Sequence, residues 1–144
     1  MKKGFTLIEV MLVLVIIGMI AVVAIPAFRN MSVRNNTAKA KADLAALQIA
    51  AENYYLYHNG AYPAQLSDLE TAIPVITRTI PKDPHSSAQA VYGYNTSSNK
   101  KYYVIYSVGP SGGGSAYVND SGDLVESDGP NCIYISNIQG DTTP

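Results

Sequence analysis

The chain has 144 residues, one domain's worth, which excludes a multidomain enzyme and leaves room for a single core. It is 47% hydrophobic and only 15% charged, against about 25% in an ordinary soluble domain, and most of the deficit falls in the first 28 residues. A net charge of −1 gives no basic field, so no nucleic-acid partner is expected; one cysteine, two histidines and no CxxC exclude structural zinc.

From Val10 to Phe28, 19 consecutive residues carry no charge. At about 1.5 Å per residue that nearly matches a bilayer's hydrocarbon core, so the segment reads as membrane-spanning. Lys2 and Lys3 precede it, and no acid offsets them before Glu9. The positive-inside tendency then keeps the amino terminus cytoplasmic and sends the remainder across. A cleavable secretory signal is the alternative, with Lys2-Lys3 as its basic start and Val22-Val23-Ala24 near a cut site. Against it, the run exceeds the usual ~7 to 15 apolar residues, Pro26 would crowd the cut, and Glu9 interrupts the apolar stretch.

Glu9 is the informative residue. A lone ionised carboxylate near a bilayer core costs about 2.5 to 3.5 kcal/mol, so it needs a partner, and no base lies within one helical turn downstream. Cleavage between Gly4 and Phe5 would create an α-amine on Phe5, one turn before Glu9. Glycine before the cut has no side chain to obstruct a peptidase.

Lys3-Gly4-Phe5-Thr6-Leu7-Ile8-Glu9-Val10, followed by a long apolar helix, resembles the processing signal of type IV pilins and type II secretion pseudopilins. The resemblance covers about the first 30 residues. It implies cleavage after Gly4 by a membrane-embedded prepilin peptidase and N-methylation of Phe5. It also implies pairing of Glu9 with the terminal amine of a neighbouring subunit during assembly. Such a pair, buried between helices, removes the desolvation cost of both charges, whereas a wrong register strands both. Glu9 would thus select register more than it adds stability.

The helix is expected to continue beyond the membrane. Arg29 to His58 contains no Gly or Pro, and Leu44, Leu47, Ala51 and Tyr54 or Tyr55 recur at three- and four-residue steps. Asn59-Gly60 supplies a left-handed stop. From Phe5 to His58 the element would measure about 80 Å, with a kink or local melting expected near Gly18 and Pro26. Arg29, Arg34, Lys39 and Lys41 precede the next acid, Asp43, and read either as a solvated face or as a patch for anionic headgroups or acidic neighbours. Residues 102 to 144 hold Asp120, Asp123, Glu126, Asp128 and Asp141 with no Lys or Arg, a polarity suited to head-to-tail packing.

Beyond Gly60, Ser67-Asp68-Leu69 reads as a short helical turn, and Ile80 to Pro84 as rigid and extended. Val91-Tyr92-Gly93-Tyr94 and Lys101 to Val108 form an antiparallel pair around a turn at Thr96 to Lys100, and Cys132 to Ile138 is a third strand. In the second strand Tyr102, Val104, Tyr106 and Val108 line one face, and Tyr103, Ile105 and Ser107 the other. Both faces are largely apolar, so one should pack on the helix.

Asn59-Gly60-Ala61-Tyr62-Pro63, Pro81-Lys82-Asp83-Pro84, the tyrosine-rich hairpin and Ser107-Val108-Gly109-Pro110-Ser111-Gly112 are similar in order and spacing to major pseudopilins of type II secretion. The chain departs from them at His85-Ser86-Ser87, where an aromatic and a glycine commonly follow, and at Ser111, where a calcium-binding loop commonly has aspartate. No cofactor is expected. Calcium on Asp120, Asp123, Glu126 and Asp128 is the alternative, although their spacing is not that of an EF-hand. A carboxy-terminal disulfide, common in type IVa pilins, is beyond the lone Cys132, which favours a pseudopilin and a buried thiol.

Gly109-Pro110-Ser111-Gly112-Gly113 satisfies G-x-S-x-G, but no helix pattern follows Ser111 and both histidines, His58 and His85, lie upstream. A turn is the expected structure. Gly112-Gly113-Gly114 lacks the Lys-Ser/Thr of a phosphate loop. His58 and His85 read as surface residues, and the 11 tyrosines as core and inter-subunit packing. No catalytic or metal-binding residues are expected.

The expectation is an α+β, pilin-like chain: a leader at residues 1–4, a transmembrane and assembly helix at 5–28, and an extracytoplasmic head at 29–144. The head comprises helix at 29–59, then loop and antiparallel sheet at 60–144. The expected function is that of a structural subunit of a homo-oligomeric helical filament, a major pseudopilin in protein export. A type IV pilus subunit for adhesion, motility or DNA uptake is the alternative, and a monomeric membrane-anchored binding domain a third reading. The implied partners are the prepilin peptidase, an inner-membrane assembly platform, minor pseudopilins and the membrane before assembly. The implied location is the bacterial inner membrane, then a periplasmic or extracellular filament.

Overall fold

A computed structural model describes residues 4–127 and 131–138, omitting the side chains of 126 and 127. The chain falls into two compact units, residues 1–35 and 36–144. One helix, α1 (Leu7–Tyr57), runs through both.

In the first unit almost every side chain is exposed. Leu7, Ile8, Leu14, Ile20, Val22 and Phe28 are all more than half exposed, the pattern of a helix whose apolar surface is satisfied by something other than its own chain. The helix is long and apolar enough to cross a membrane. Local melting near Gly18 and Pro26 does not occur: the chain stays helical through both positions. Proline removes one donor, and the bonds of the adjoining turns hold the helix across that gap.

In the second unit α1 turns Ala40, Leu44, Leu47 and Ala51 inward at steps of four, three and four. The stop falls where expected. Asn59 and Gly60 have φ of 54° and 73°, and Gly60 N–H donates to Tyr55 O at 3.1 Å. A short helix, α2 (Asp68–Thr71), follows. Three strands, β1 (Gly93–Thr96), β2 (Tyr103–Ser107) and β5 (Ile133–Ser136), form an antiparallel sheet in the order β1-β2-β5.

Strand β2 is central and buried on both faces. Tyr103 and Ile105 join Leu44, Leu47, Tyr62, Leu69 and Tyr92 in the core against α1. Val104 packs with Ala116, Val118, Cys132 and Tyr134 on the other side. The packing of one face of β2 on α1 is as the sequence predicts, but its alternation divides two cores where the chain's length led to the expectation of one.

The second core is roofed by a hairpin absent from the sequence reading, β3 (Ser115–Val118) paired with β4 (Leu124–Ser127). Its strands are four residues each and interrupted by small or polar side chains, so they carry little period-two signal. The first hairpin also shifts. Gly93 pairs with Tyr106 and Thr96 with Tyr103, so Thr96 closes the ladder instead of opening the turn. Val91 forms an isolated bridge to Lys82.

Candidate assembly site

The first turn of α1 is built by a reciprocal cap. Glu9 N–H donates to Thr6 Oγ1 at 3.3 Å, and both Thr6 N–H and Thr6 Oγ1 donate to Glu9 Oε2 at 3.2 Å. Val10 N–H donates to Thr6 O at 3.3 Å as the first helical bond. This is a capping box, in which threonine and a glutamate three residues on satisfy each other's backbone donors. The carboxylate of Glu9, for which the sequence predicts a cation, has Thr6 of its own chain as a partner. The Thr-x-x-Glu spacing was the signal.

Gly4, Phe5, Thr6 and Glu9 line a depression of about 460 Å³. Phe5 is 85% exposed, and among the described residues no atom beyond the chain neighbours lies within 4 Å of where a Cβ on Gly4 would stand. Packing within the chain therefore imposes no need for glycine there. Gly4 and Phe5 are both exposed, and Gly4 puts no side chain beside the peptide bond that joins them. The site combines an exposed glycine, an exposed aromatic and a carboxylate held in place by hydrogen bonds.

In the second unit the polar residues serve the scaffold. Glu52 accepts from Tyr62 Oη at 3.0 Å and from Tyr103 Oη at 3.0 Å, and Asp43 accepts from Tyr92 Oη at 2.9 Å. Burial, followed by the hydrogen bond to Glu52, pushes the Tyr62 hydroxyl up to about 12. Burial likewise raises Tyr92, Tyr94 and Tyr103 above the ordinary value of 10.0, with the carboxylates of Asp43 and Glu52 adding to the shifts of Tyr92 and Tyr103. Asp83, 3% exposed, accepts from Ser107 Oγ at 2.8 Å, His85 N–H at 2.9 Å and Val108 N–H at 2.9 Å. It ties the proline-rich stretch to the end of β2. Its partners lie up to 25 residues away, so local spacing gave no hint of them.

The histidines are half-buried. His58 stacks on Tyr54 with ring centroids 3.8 Å apart, and His85 Nε2 lies 3.4 Å from Thr37 Oγ1. Ser111 sits in a turn closed by Gly112 N–H to Gly109 O at 2.9 Å. Cys132 is buried, with its Sγ donating to Ser107 O at 3.8 Å. Of the proposed calcium ligands, Asp120 Oδ1 accepts from Asn99 N–H and Asp123 Oδ2 from Asn119 Nδ2. The Glu126 side chain and Asp128 lie outside the described residues.

The family described as the prokaryotic N-terminal methylation motif matches residues 1–25. A fimbrial protein of Pseudomonas aeruginosa is 44% identical over 55 residues, covering 38% of this chain; the match spans only 36% of that protein's length. Type II secretion system core protein G of Pseudomonas aeruginosa is 30% identical over 134 residues, covering 83% of this chain and 92% of that protein. A type IV major pilin protein of Neisseria gonorrhoeae is 36% identical over 74 residues, 51% of this chain and 44% of the pilin. No solved structure matches.

Proposed function

Because the chain belongs to the family of type IV pilins and type II secretion pseudopilins, we propose that it is the major subunit of a pseudopilus acting in protein export. The observation that carries this reading is the extent of the match. Similarity to core protein G runs through both units, whereas similarity to the fimbrial protein is confined to 55 residues. In this reading the work is mechanical, and the partners are a prepilin peptidase, an inner-membrane platform and minor pseudopilins. The precursor is held in the inner membrane with its amino terminus cytoplasmic, and the filament forms in the periplasm.

Cleavage after Gly4 gives Phe5 an α-amine, which is then methylated. The exposed apolar surface of residues 7–28, stored in lipid before assembly, packs against the same surface of other subunits in the filament. Glu9 meets the Phe5 amine of a neighbour. Until then the capping box supplies its carboxylate with hydrogen-bond donors, which lowers the cost of holding it at the membrane. Assembly exchanges these local donors for a cation.

Mass spectrometry of the native protein tests the processing: the expected product begins at Phe5 and carries one methyl group, and retention of Met1 would refute it. Glu9→Leu should insert in the membrane and fail to polymerise, so a normal filament yield removes the assembly role. Loss of secretion in a deletion strain, with surface pili intact, separates the pseudopilus from the pilus.

A further inference from the structure

The second unit carries two features of opposite charge. Lys39 from α1, Lys82, and Ser86, Ser87 and Gln89 from the following loop line a depression of about 400 Å³. Both lysines are exposed. Asp83 also borders it but is 3% exposed, with its carboxylate turned to three donors of its own chain, so the exposed charged side chains there are the two lysines. The loop is held in shape by its own bonds: Asp83 N–H to Ala90 O at 2.9 Å, Gln89 N–H to Ser86 O at 3.1 Å and Ala90 N–H to Ser86 Oγ at 3.2 Å. The Ser86 hydroxyl hydrogen remains able to donate outward.

The turn joining β3 to β4 carries Asp120 and Asp123, both exposed. It too is fixed before any partner arrives. Asn119 Oδ1 accepts from Ser121 N–H and Asp123 N–H at 2.9 Å each, and Asn99 N–H donates to Asp120 Oδ1 at 3.3 Å. None of its residues lines the basic depression of its own chain.

We propose that the depression under Lys39 and Lys82 on one copy receives the Asn119–Asp123 turn of a second copy, so that Asp120 and Asp123 meet the two ammonium groups. This rests on the filament reading above and names a contact between heads within it. Charge complementarity selects the occupant. The two patches are distinct, so the contact can repeat head-to-tail from copy to copy, the heterologous kind of contact from which a filament is built. Because both patches are preformed, binding orders little chain, and the contact adds specificity and salt dependence more than raw strength.

The test uses the full-length protein assembled into filaments. Ser87→Cys combined with Ser121→Cys should give an oxidation-dependent ladder of cross-linked subunits, and each single variant should not. Lys82→Glu should lower filament yield several-fold at low salt, and adding Asp123→Lys should restore it, whereas high salt should weaken wild-type filaments. Filaments that form without the ladder, and are indifferent to Lys82→Glu, overturn the contact and leave the filament reading standing. A processed wild-type protein that never polymerises overturns both. Since Ser87 and Ser121 are exposed, the cross-link stays informative even if Asp123→Lys disturbs its turn.

Discussion

Two carboxylates show how the same side-chain chemistry is put to different use. Glu9 is exposed and caps its own helix, with bonds no shorter than 3.2 Å, so its contacts can be exchanged. Asp83 is buried, and its three shorter bonds come from three residues that converge on it. Asp83→Asn would turn an amide donor toward Val108 N–H or toward His85 N–H, setting donor against donor. The expected loss is about 1 to 3 kcal/mol in denaturant unfolding, since an unsatisfied buried group costs that much. Glu9 was legible as a residue needing a partner because an acid in an apolar run is conspicuous. Asp83 was not, because only the folded chain brings residues 83 and 108 together.

At the scale of elements, what the sequence revealed depended on periodicity. The stripe of Leu44, Leu47 and Ala51 and the alternation through Tyr103 to Ser107 each repeat often enough to identify both the element and its buried face. The β3–β4 hairpin does not. Its position depends instead on a glycine-rich connection, residues 109–114, that passes under the chain entering β5. Gly109 has φ of 70°, and the space a Cβ would take is held by the Asn131 carbonyl; a Cβ on Gly114 would come within 2.9 Å of Cys132 Cα. Gly109→Ala must therefore adopt a strained backbone and displace a neighbouring strand entry. It should destabilise the protein by at least about 3 kcal/mol in chemical denaturation. Gly109, the first glycine of the serine motif, is thus explained by backbone shape.

Over the whole molecule, the tyrosines set an alkaline limit. Tyr55, Tyr62, Tyr103 and Tyr94 form a chain of rings with successive centroids 4.7, 4.5 and 6.2 Å apart. The hydroxyls of Tyr62 and Tyr103 reach Glu52, and that of Tyr94 the Pro63 carbonyl at 2.8 Å. In the unfolded chain each tyrosine ionises near 10.0, whereas Tyr62 is held to about 12 and Tyr92, Tyr94 and Tyr103 are also raised. Below pH 10 both states keep these protons, and the contribution is fully present. As pH rises above 10, the unfolded state releases protons first and stability falls until the folded hydroxyls also ionise. Denaturant midpoints should thus be level below pH about 9 and drop steeply above pH about 10. A flat profile to pH about 12 would contradict this shared hydroxyl network.

The single cysteine extends this view of the head. Cys132 lies beneath the β3–β4 roof at 0% exposure, in the smaller of the two cores. An alkylating reagent can reach its sulfur only when the packing around it opens, so the rate of labelling is a clock for local opening that requires no engineered probe. Comparing the clock in dispersed and polymerised protein would show whether joining a lattice clamps the outer layer shut.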